Sequence, residues 1–447
     1  MPRPIRILLG ILILVIGLAG CAAPGGQAPA PTQPPAATPA PTQAPPTPTA
    51  APPAPKTVTA LVGFTASLTG KLNVESTRQT NGLQLWMKQV NEAGGIKLAD
   101  GTVVKFEAKF YDDESNQDRV QELYTRLASE DKADFLISPY SSGLTAAASV
   151  IAEQYEKIMI TTGAASDSNY KQGYTLVFQA YTPASKYLTG AVDLILATTP
   201  NLKRIAIVHE NDKFSTDVAN AAKRYAENKG FEVVLFEGYD SGTTDFAPII
   251  NKVQQAAPEA IIGGGHFQDG STFARQLAEK QVPAEFLALL VAPPEPSFAE
   301  LGDAAVGVIG PSQWEPLAAY TEASAKAAGL SWYGLSGADF TAAYQAAYGE
   351  EPSYHAAGGY AAGLILQAAI EKAGSLETAK VKEALDGMDM LTFFGHIKFD
   401  TTPEAHGLQI GHEMVYIQWQ KDAGGHLVKQ VVWPVEAKTA DVIHPVR

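Results

Sequence analysis

Several stretches carry residue types that do chemistry, and most of them fail on spacing. The segment GFTASLTGK, Gly63 to Lys71, has the glycines and lysine of a phosphate-cradling loop. That loop needs four residues between its glycines and a Ser or Thr after the lysine. Here six residues separate Gly63 from Gly70, and Leu72 follows Lys71. Gly263-Gly264-Gly265 begins like a dinucleotide-binding turn, but Gln268 stands where the third glycine belongs, so a tight strand-to-helix turn is the plainer reading. His412-Glu413 opens like a zinc-binding helix, yet Tyr416 takes the second histidine's place and the remaining histidines stand singly. No G-x-S-x-G elbow occurs, and Asp112-Asp113 reads as a solvated turn. No catalytic residue, cofactor or metal site is predicted, and the chain is not expected to be an enzyme.

More informative are the polar loops that follow apolar runs. Tyr140-Ser141-Ser142-Gly143 precedes a helical stretch, so free backbone N–H groups and serine hydroxyls there can hold a carboxylate. Thr161-Thr162-Gly163-Ala164-Ala165-Ser166 has small residues that let a ligand approach the backbone. Both could equally be plain helix caps. Further loops of this kind are 65–75, 210–214, 264–269 and 291–296.

The elements that would position these loops alternate strand and helix. Strands are expected at 57–64, 103–111, 134–138, 157–161 and 175–179. Helices are expected at 76–90 (capped by Ser76 with Gln79), 117–129 (opened by Ser115 with Asp118) and 144–155. The pattern renews after Thr182-Pro183, with helices at 183–197, 215–229, 245–256 and 270–281. The strands of this half fall at 203–209, 231–237, 259–263, 285–291 and 305–309. Alanine- and tyrosine-rich helices follow at 317–328, 335–348, 354–373 and 377–386, then strand-like stretches at 391–399, 413–419 and 427–433. Short apolar strands between amphipathic helices mean parallel sheets covered on both faces. Two such sheets, with a helical block returning to the first, predict an α/β protein of two doubly wound lobes around a cleft. Ligands of open α/β sheets bind at the carboxyl ends of the strands.

Before Thr57 the chain reads as address and tether. Arg3 and Arg6 precede an apolar run from Ile7 to Ala19, too short to span a membrane. Leu18-Ala19-Gly20-Cys21 resembles the bacterial lipoprotein signal, which would make Cys21 the lipidated new N-terminus. Residues 22–56 hold 13 prolines and 11 alanines, the composition of an extended spacer. Cys21 is the only cysteine in 447 residues, so no intramolecular disulfide is available. With 33 basic and 47 acidic residues the net charge is −14, which argues against a nucleic-acid partner.

The segments GFTASLTG, NGLQLWMKQVNEAGGI, YDDESN, SPYSSGLTAAASVIAEQ, IMITTGAAS, RIAIVHENDKF and the DF of TTDFAPII occur in this order. Together they resemble the branched-chain amino-acid-binding class of type I periplasmic binding proteins, the substrate-binding lipoproteins of ABC importers, over about residues 57–435. The resemblance implies two lobes joined by three hinge crossings. It places lobe 1 at 57–181 plus 314–411 and lobe 2 at 182–313 plus 412–447, after a 1–21 signal peptide and a 22–56 tether.

Site residues carry over unevenly. The serine that grips the ligand's carboxylate and amino group falls on Ser142. The positions after the following strand fall on Gly163, Ala164 and Ala165, with Ser166 standing in for the threonine hydroxyl missing at Ala165. An aromatic position falls on Phe214, a tyrosine position on His266, a first-loop position near Glu75, and Trp314 is placed as a cleft wall at the second hinge. The acidic residue that pairs with the ligand ammonium falls near Leu290, which is apolar, leaving Glu75, Glu295 or Asp269 to supply that charge.

The implied function is capture of a small branched-chain-type amino acid, or a related compound, by lobe closure and delivery to ABC permease subunits. The protein is expected as a monomer, extracytoplasmic and membrane-bound through its lipid only. Alternatives are an amide, urea-like or aromatic carboxylic ligand, or a sensor of the same fold.

Overall fold

A computed structural model describes Ala30, residues 56–318 and residues 320–446. The signal segment, Cys21 and nearly all of the tether lie outside the described residues. From Thr57 the chain builds β1 (Thr57–Ala66), α1 (Asn73–Glu92), β2 (Ile96–Lys97), β3 (Val103–Asp112), α2 (Gln117–Ser129), β4 (Phe135–Ile137), α3 (Ser142–Gln154), β5 (Met159–Thr161) and β6 (Val177–Gln179). These strands form one sheet in the order β2-β3-β1-β4-β5-β6. The chain then crosses to a second sheet through α4 (Thr189–Thr198), β7 (Arg204–Glu210), α5 (Lys213–Asn228), β8 (Glu232–Tyr239), α6 (Ala247–Ala256), β9 (Ala260–Gly264), α7 (Phe267–Glu279), β10 (Phe286–Leu289) and β11 (Ile309–Ser312).

After Ser312 it returns with α8 (Glu322–Ala328), β12 (Ser331–Trp332), α9 (Gly337–Tyr348), α10 (Tyr354–Ala373), α11 (Thr378–Asp386), β13 (Asp389–Leu391) and β14 (His396–Lys398). A third crossing adds β15 (Val415–Lys421) and β16 (Leu427–Trp433). The second sheet is ordered β16-β15-β11-β10-β9-β7-β8. The central strands are short, apolar and buried on both faces, as parallel strands under helices must be. The sheets are mixed, not purely parallel: β2 pairs antiparallel with β3, and β15 pairs antiparallel with both β11 and β16.

One packed layer sets the geometry of the first lobe. Helices α1 and α10 touch through glycines. A Cβ on Gly82 would lie 1.9 Å from the Ala356 carbonyl oxygen, and one on Gly359 would lie 2.0 Å from that of Gln79. Backbone atoms cannot step aside, so Gly359→Ala should push the helices apart and destabilise the lobe by about 1–3 kcal/mol or more. Chemical denaturation checks this, and an unchanged midpoint would show that the helices can slide.

Several local expectations are corrected. Helix α1 starts at Asn73, before Ser76, whose hydroxyl accepts from the Ser67 N–H at 2.8 Å. The cap of α2 is Asn116, accepting from Arg119 N–H, while Ser115 donates to the Thr69 carbonyl. The helix expected at 183–197 divides into a 3-10 turn at Ala184–Lys186 and α4. The helix expected at 317–328 starts only at Glu322, capped by Thr321. Strand β11 begins at Ile309, where the expected strand ended. The stretch 391–399 is a hairpin, β13 and β14 turning at 392–395, in a small sheet with β12. Among the described residues no helix is long and apolar enough to cross a membrane.

Candidate ligand cleft

In each sheet the strand order turns back on itself at one place, where neighbouring loops diverge and leave a crevice. In the first sheet this is between β1 and β4, in the second between β7 and β9. The segments leaving those four strands face each other. They carry Lys71 and Glu75 after β1, Tyr140 and Ser142 after β4, Glu210, Asp212 and Phe214 at the end of β7, and His266 after β9.

A small cavity lies between the lobes. It is lined by Tyr140, Gly163, Ala165, Tyr181, Tyr187, Phe214, His266, Val291, Tyr354 and His355. The closed walls leave about 10 Å3, room for roughly one water. Aromatic rings close it: Phe214 meets Tyr187 edge-on at 5.0 Å, and Tyr140 meets His266 at 5.5 Å and His355 at 5.1 Å.

The residues read from the sequence fall into three groups. Gly163, Ala165, Phe214 and His266 line the cavity. Gly163 sits at φ +66°, and a Cβ there would strike Gln79 Oε1 and the Tyr140 ring, so glycine is required. Ser142 stands just behind, its Oγ accepting from the N–H groups of Ala165 (3.0 Å) and Ser166 (3.1 Å) while keeping a hydrogen to donate. Ala164 turns its carbonyl to Gln179.

Ser166 does not replace the missing threonine, because its hydroxyl donates across the cleft to Asp217. Trp314 is no cleft wall. It is 3% exposed and packs edge-on against Phe340 and Phe393 in the core of the first lobe. Trp314→Ala should therefore cost about 3–5 kcal/mol of stability and leave the affinity of the folded fraction unchanged. Lost affinity at unaltered stability would return the ring to the cleft.

Leu290 is buried among apolar side chains, so no acid occupies that position. Instead Lys71, in the turn just before α1, and Glu75 and Arg78, one turn apart on one side of the helix start, meet the second lobe. Lys71 Nζ lies 2.5 Å from Glu210 Oε1. Glu75 Oε1 accepts from Phe267 N–H, at the start of α7, at 2.9 Å. Arg78 pairs with Glu295 and donates to Ser297 at 3.0 Å. Glu295 also takes a 2.5 Å hydrogen bond from His355 Nδ1. Burial opposes its charge, but the His355 hydrogen bond and the Arg78 charge outweigh burial and hold Glu295 at about 2.

His266 is the electrostatic centre. Its Nδ1 lies 2.9 Å from the Tyr140 hydroxyl and its Nε2 2.7 Å from Asp212 Oδ2. Burial alone would lower its pKa, but Asp212, then Glu210 and Glu75, raise it to about 9. Asp269 receives Tyr239 OH and His266 N–H. Burial and the Glu210 charge push it up to about 6. The two near-motifs resolve as structure: Gly263 and Gly264 close strand β9 at φ +127° and +99°, three residues before α7 begins at Phe267, and His412, off any helix, stacks on Phe394 at 4.8 Å.

Among the buried oxygens near the cavity that have no hydrogen-bond partner are Glu75 Oε2 and, one turn further along α1, Gln79 Oε1. An unpaired buried acceptor is costly unless something donates to it. The sequence marked Gln79 only as a capping partner of Ser76, and did not single out the walls Tyr181, Tyr187, Tyr354 and His355. The only local sign was the Ser353-Tyr354-His355 start of a long apolar helix.

The sequence profile of the periplasmic binding protein family matches residues 59–425. The chain belongs to that family. Members bind small molecules for ABC transporters and are not enzymes. The Leucine-, isoleucine-, valine-, threonine-, and alanine-binding protein of Pseudomonas aeruginosa is 24% identical over 366 residues, covering 82% of this chain and 91% of that protein. The isoleucine complex of the branched-chain amino acid binding protein LivJ from Streptococcus pneumoniae superposes with a TM-score of 0.68 at 22% identity. It covers 84% of this periplasmic binding protein and all of LivJ. A solute-binding protein from R. palustris in complex with benzoate gives 0.67 at 20% identity, covering 83% of this chain and 95% of its own. These likenesses establish the fold.

Proposed function

We propose that this chain is the lipid-anchored, extracytoplasmic receptor of an ABC importer, and that it captures a small ligand bearing an ammonium group by lobe closure. The reading includes the 1–21 signal ending at Cys21, the 22–56 tether, and lobes at 57–181 plus 314–411 and 182–313 plus 412–447. The observation that carries it is Glu75 Oε2, a fully buried, partnerless carboxylate oxygen beside the cleft. It supplies the negative charge missing at Leu290. Gln79 Oε1 adds a second acceptor, and the Ser142 hydroxyl with the 163–166 backbone takes the ligand's other polar end. The ligand stabilises the closed form by touching both lobes, and the permease then receives it.

A second reading, an aromatic carboxylate, is favoured by the tyrosine-rich wall. The two separate in a thermal-shift panel on chain refolded from denaturant to remove carried ligand. A ligand at 100 times its Kd stabilises the fold by about 2.7 kcal/mol. A shift with leucine, isoleucine or valine supports the ammonium reading. A shift with benzoate and none with amino acids replaces it.

A further inference from the structure

Glu210, Asp212 and His266 converge at the second lobe's crevice, and we propose that they form a binding site for a divalent transition-metal ion of the Zn2+ type. The site shares His266 with the wall of the organic-ligand cavity but does not depend on that reading. One potential ligand atom from each residue, a carboxylate oxygen of Glu210 and of Asp212 and a ring nitrogen of His266, lies within 4.8 Å of the others. His266 Nε2 is 2.7 Å from Asp212 Oδ2 and 3.9 Å from Glu210 Oε2, and the incoming ion takes the place of the proton between Nε2 and Asp212, which leaves to solvent. Tetrahedral coordination with bonds of about 2.0–2.2 Å separates donor atoms by about 3.3–3.5 Å, so the two spacings from His266 Nε2 change by less than about 1 Å and the carboxylate–carboxylate spacing by at most about 1.5 Å.

The remaining polar atom of every donor is already held. Glu210 Oε1 accepts from Lys71 and Ser241, Asp212 Oδ1 from the Ser215 N–H, and His266 Nδ1 faces the Tyr140 hydroxyl. This is how surrounding groups orient metal ligands. Glu210 Oε2 has no hydrogen-bond partner although its side chain is only 2% exposed, so it is a donor atom aimed into the trio with nothing else to bind.

A cavity of about 170 Å3 borders the trio. Lys71, Glu210, His266 and Asp269 are among its walls, and it offers an ion both a route in and a fourth, open coordination position. One imidazole with two carboxylates suits Zn2+ and its neighbours better than Mg2+ or Ca2+, which take oxygen donors. All three donors belong to the second lobe, and Lys71 and Tyr140 reach them from the first.

The test uses the full chain in detergent, without a histidine tag and stripped by a chelator. Titration calorimetry with Zn2+ should show one ion per chain. Co2+ should give the intense visible absorption of a tetrahedral site. Glu210→Gln and Asp212→Asn should each weaken Zn2+ binding at least tenfold, while His426→Ala, at an exposed His–Asp pair, leaves it unchanged. The Co2+ spectrum of the unaltered chain decides the matter even if a variant folds poorly. The proposal is overturned by no Zn2+ uptake and no Co2+ band, or by uptake that survives both carboxylate changes.

Discussion

Glu75→Gln should weaken binding of an ammonium-bearing ligand by about 100-fold while leaving the protein folded. A glutamine keeps an acceptor for the Phe267 N–H, so the bridge to α7 survives. What disappears is the negative charge at a buried position, where Glu75 Oε2 has no protein donor. Removing one partner of a buried charge pair costs about 2–5 kcal/mol, and each 1.4 kcal/mol is tenfold in affinity. Calorimetry with the ligand found in the thermal-shift panel, alongside near-ultraviolet circular dichroism, checks both halves. Affinity within a factor of three of the unaltered chain would move the ammonium elsewhere. Under the aromatic-acid reading the same change should strengthen binding by removing a repelling charge, so its sign also separates the two.

The second large effect belongs to the Arg78–Glu295–His355 cluster. Glu295 comes from the second lobe and its two partners from the first. Glu295→Gln leaves Arg78 buried beside only the half-exposed Glu350. Breaking such a pair costs about 3–5 kcal/mol. Each lobe has its own hydrophobic clusters, so the cost should fall on closure, and the lobes should part without unfolding. Small-angle scattering reads this as a larger radius of gyration, and an unchanged profile would refute it.

Acid should act the same way. Glu295 is held at about 2 in the closed form and regains an ordinary carboxyl value, about 4.3, once solvated. A depressed pKa gives stabilisation that is complete above the ordinary value and lost as pH falls toward the depressed one. Closure should therefore weaken between about pH 4.5 and pH 2, by about 3 kcal/mol in all.

Much of the fold was readable because its causes are local. Helix α10 and strand β16 begin and end where the apolar periodicity does, at 354–373 and 427–433. The Ser142 turn and the 163–166 loop stood out because serines and small residues directly follow short apolar strands. The errors at Ser76, Ser115 and the 391–399 hairpin arose where a side chain found a distant partner, or where a tight turn replaced a straight run.

The sequence by itself determined the renewal of the strand–helix pattern after Thr182, the polar loops at the strand ends, the absence of a catalytic motif and the membership in a family of binding proteins. These follow from spacing within a few residues, and patterning of that range decides secondary structure and fold class. Only the tertiary structure decided which charges meet. Arg78 and Glu295 are 217 positions apart, and Glu75 and Phe267 are 192 apart. It also put Trp314 into a core, turned Ser166 away to Asp217, and brought Glu210, Asp212 and His266 to one point. No local pattern records such pairings, because they exist only once three chain crossings have closed two lobes on each other.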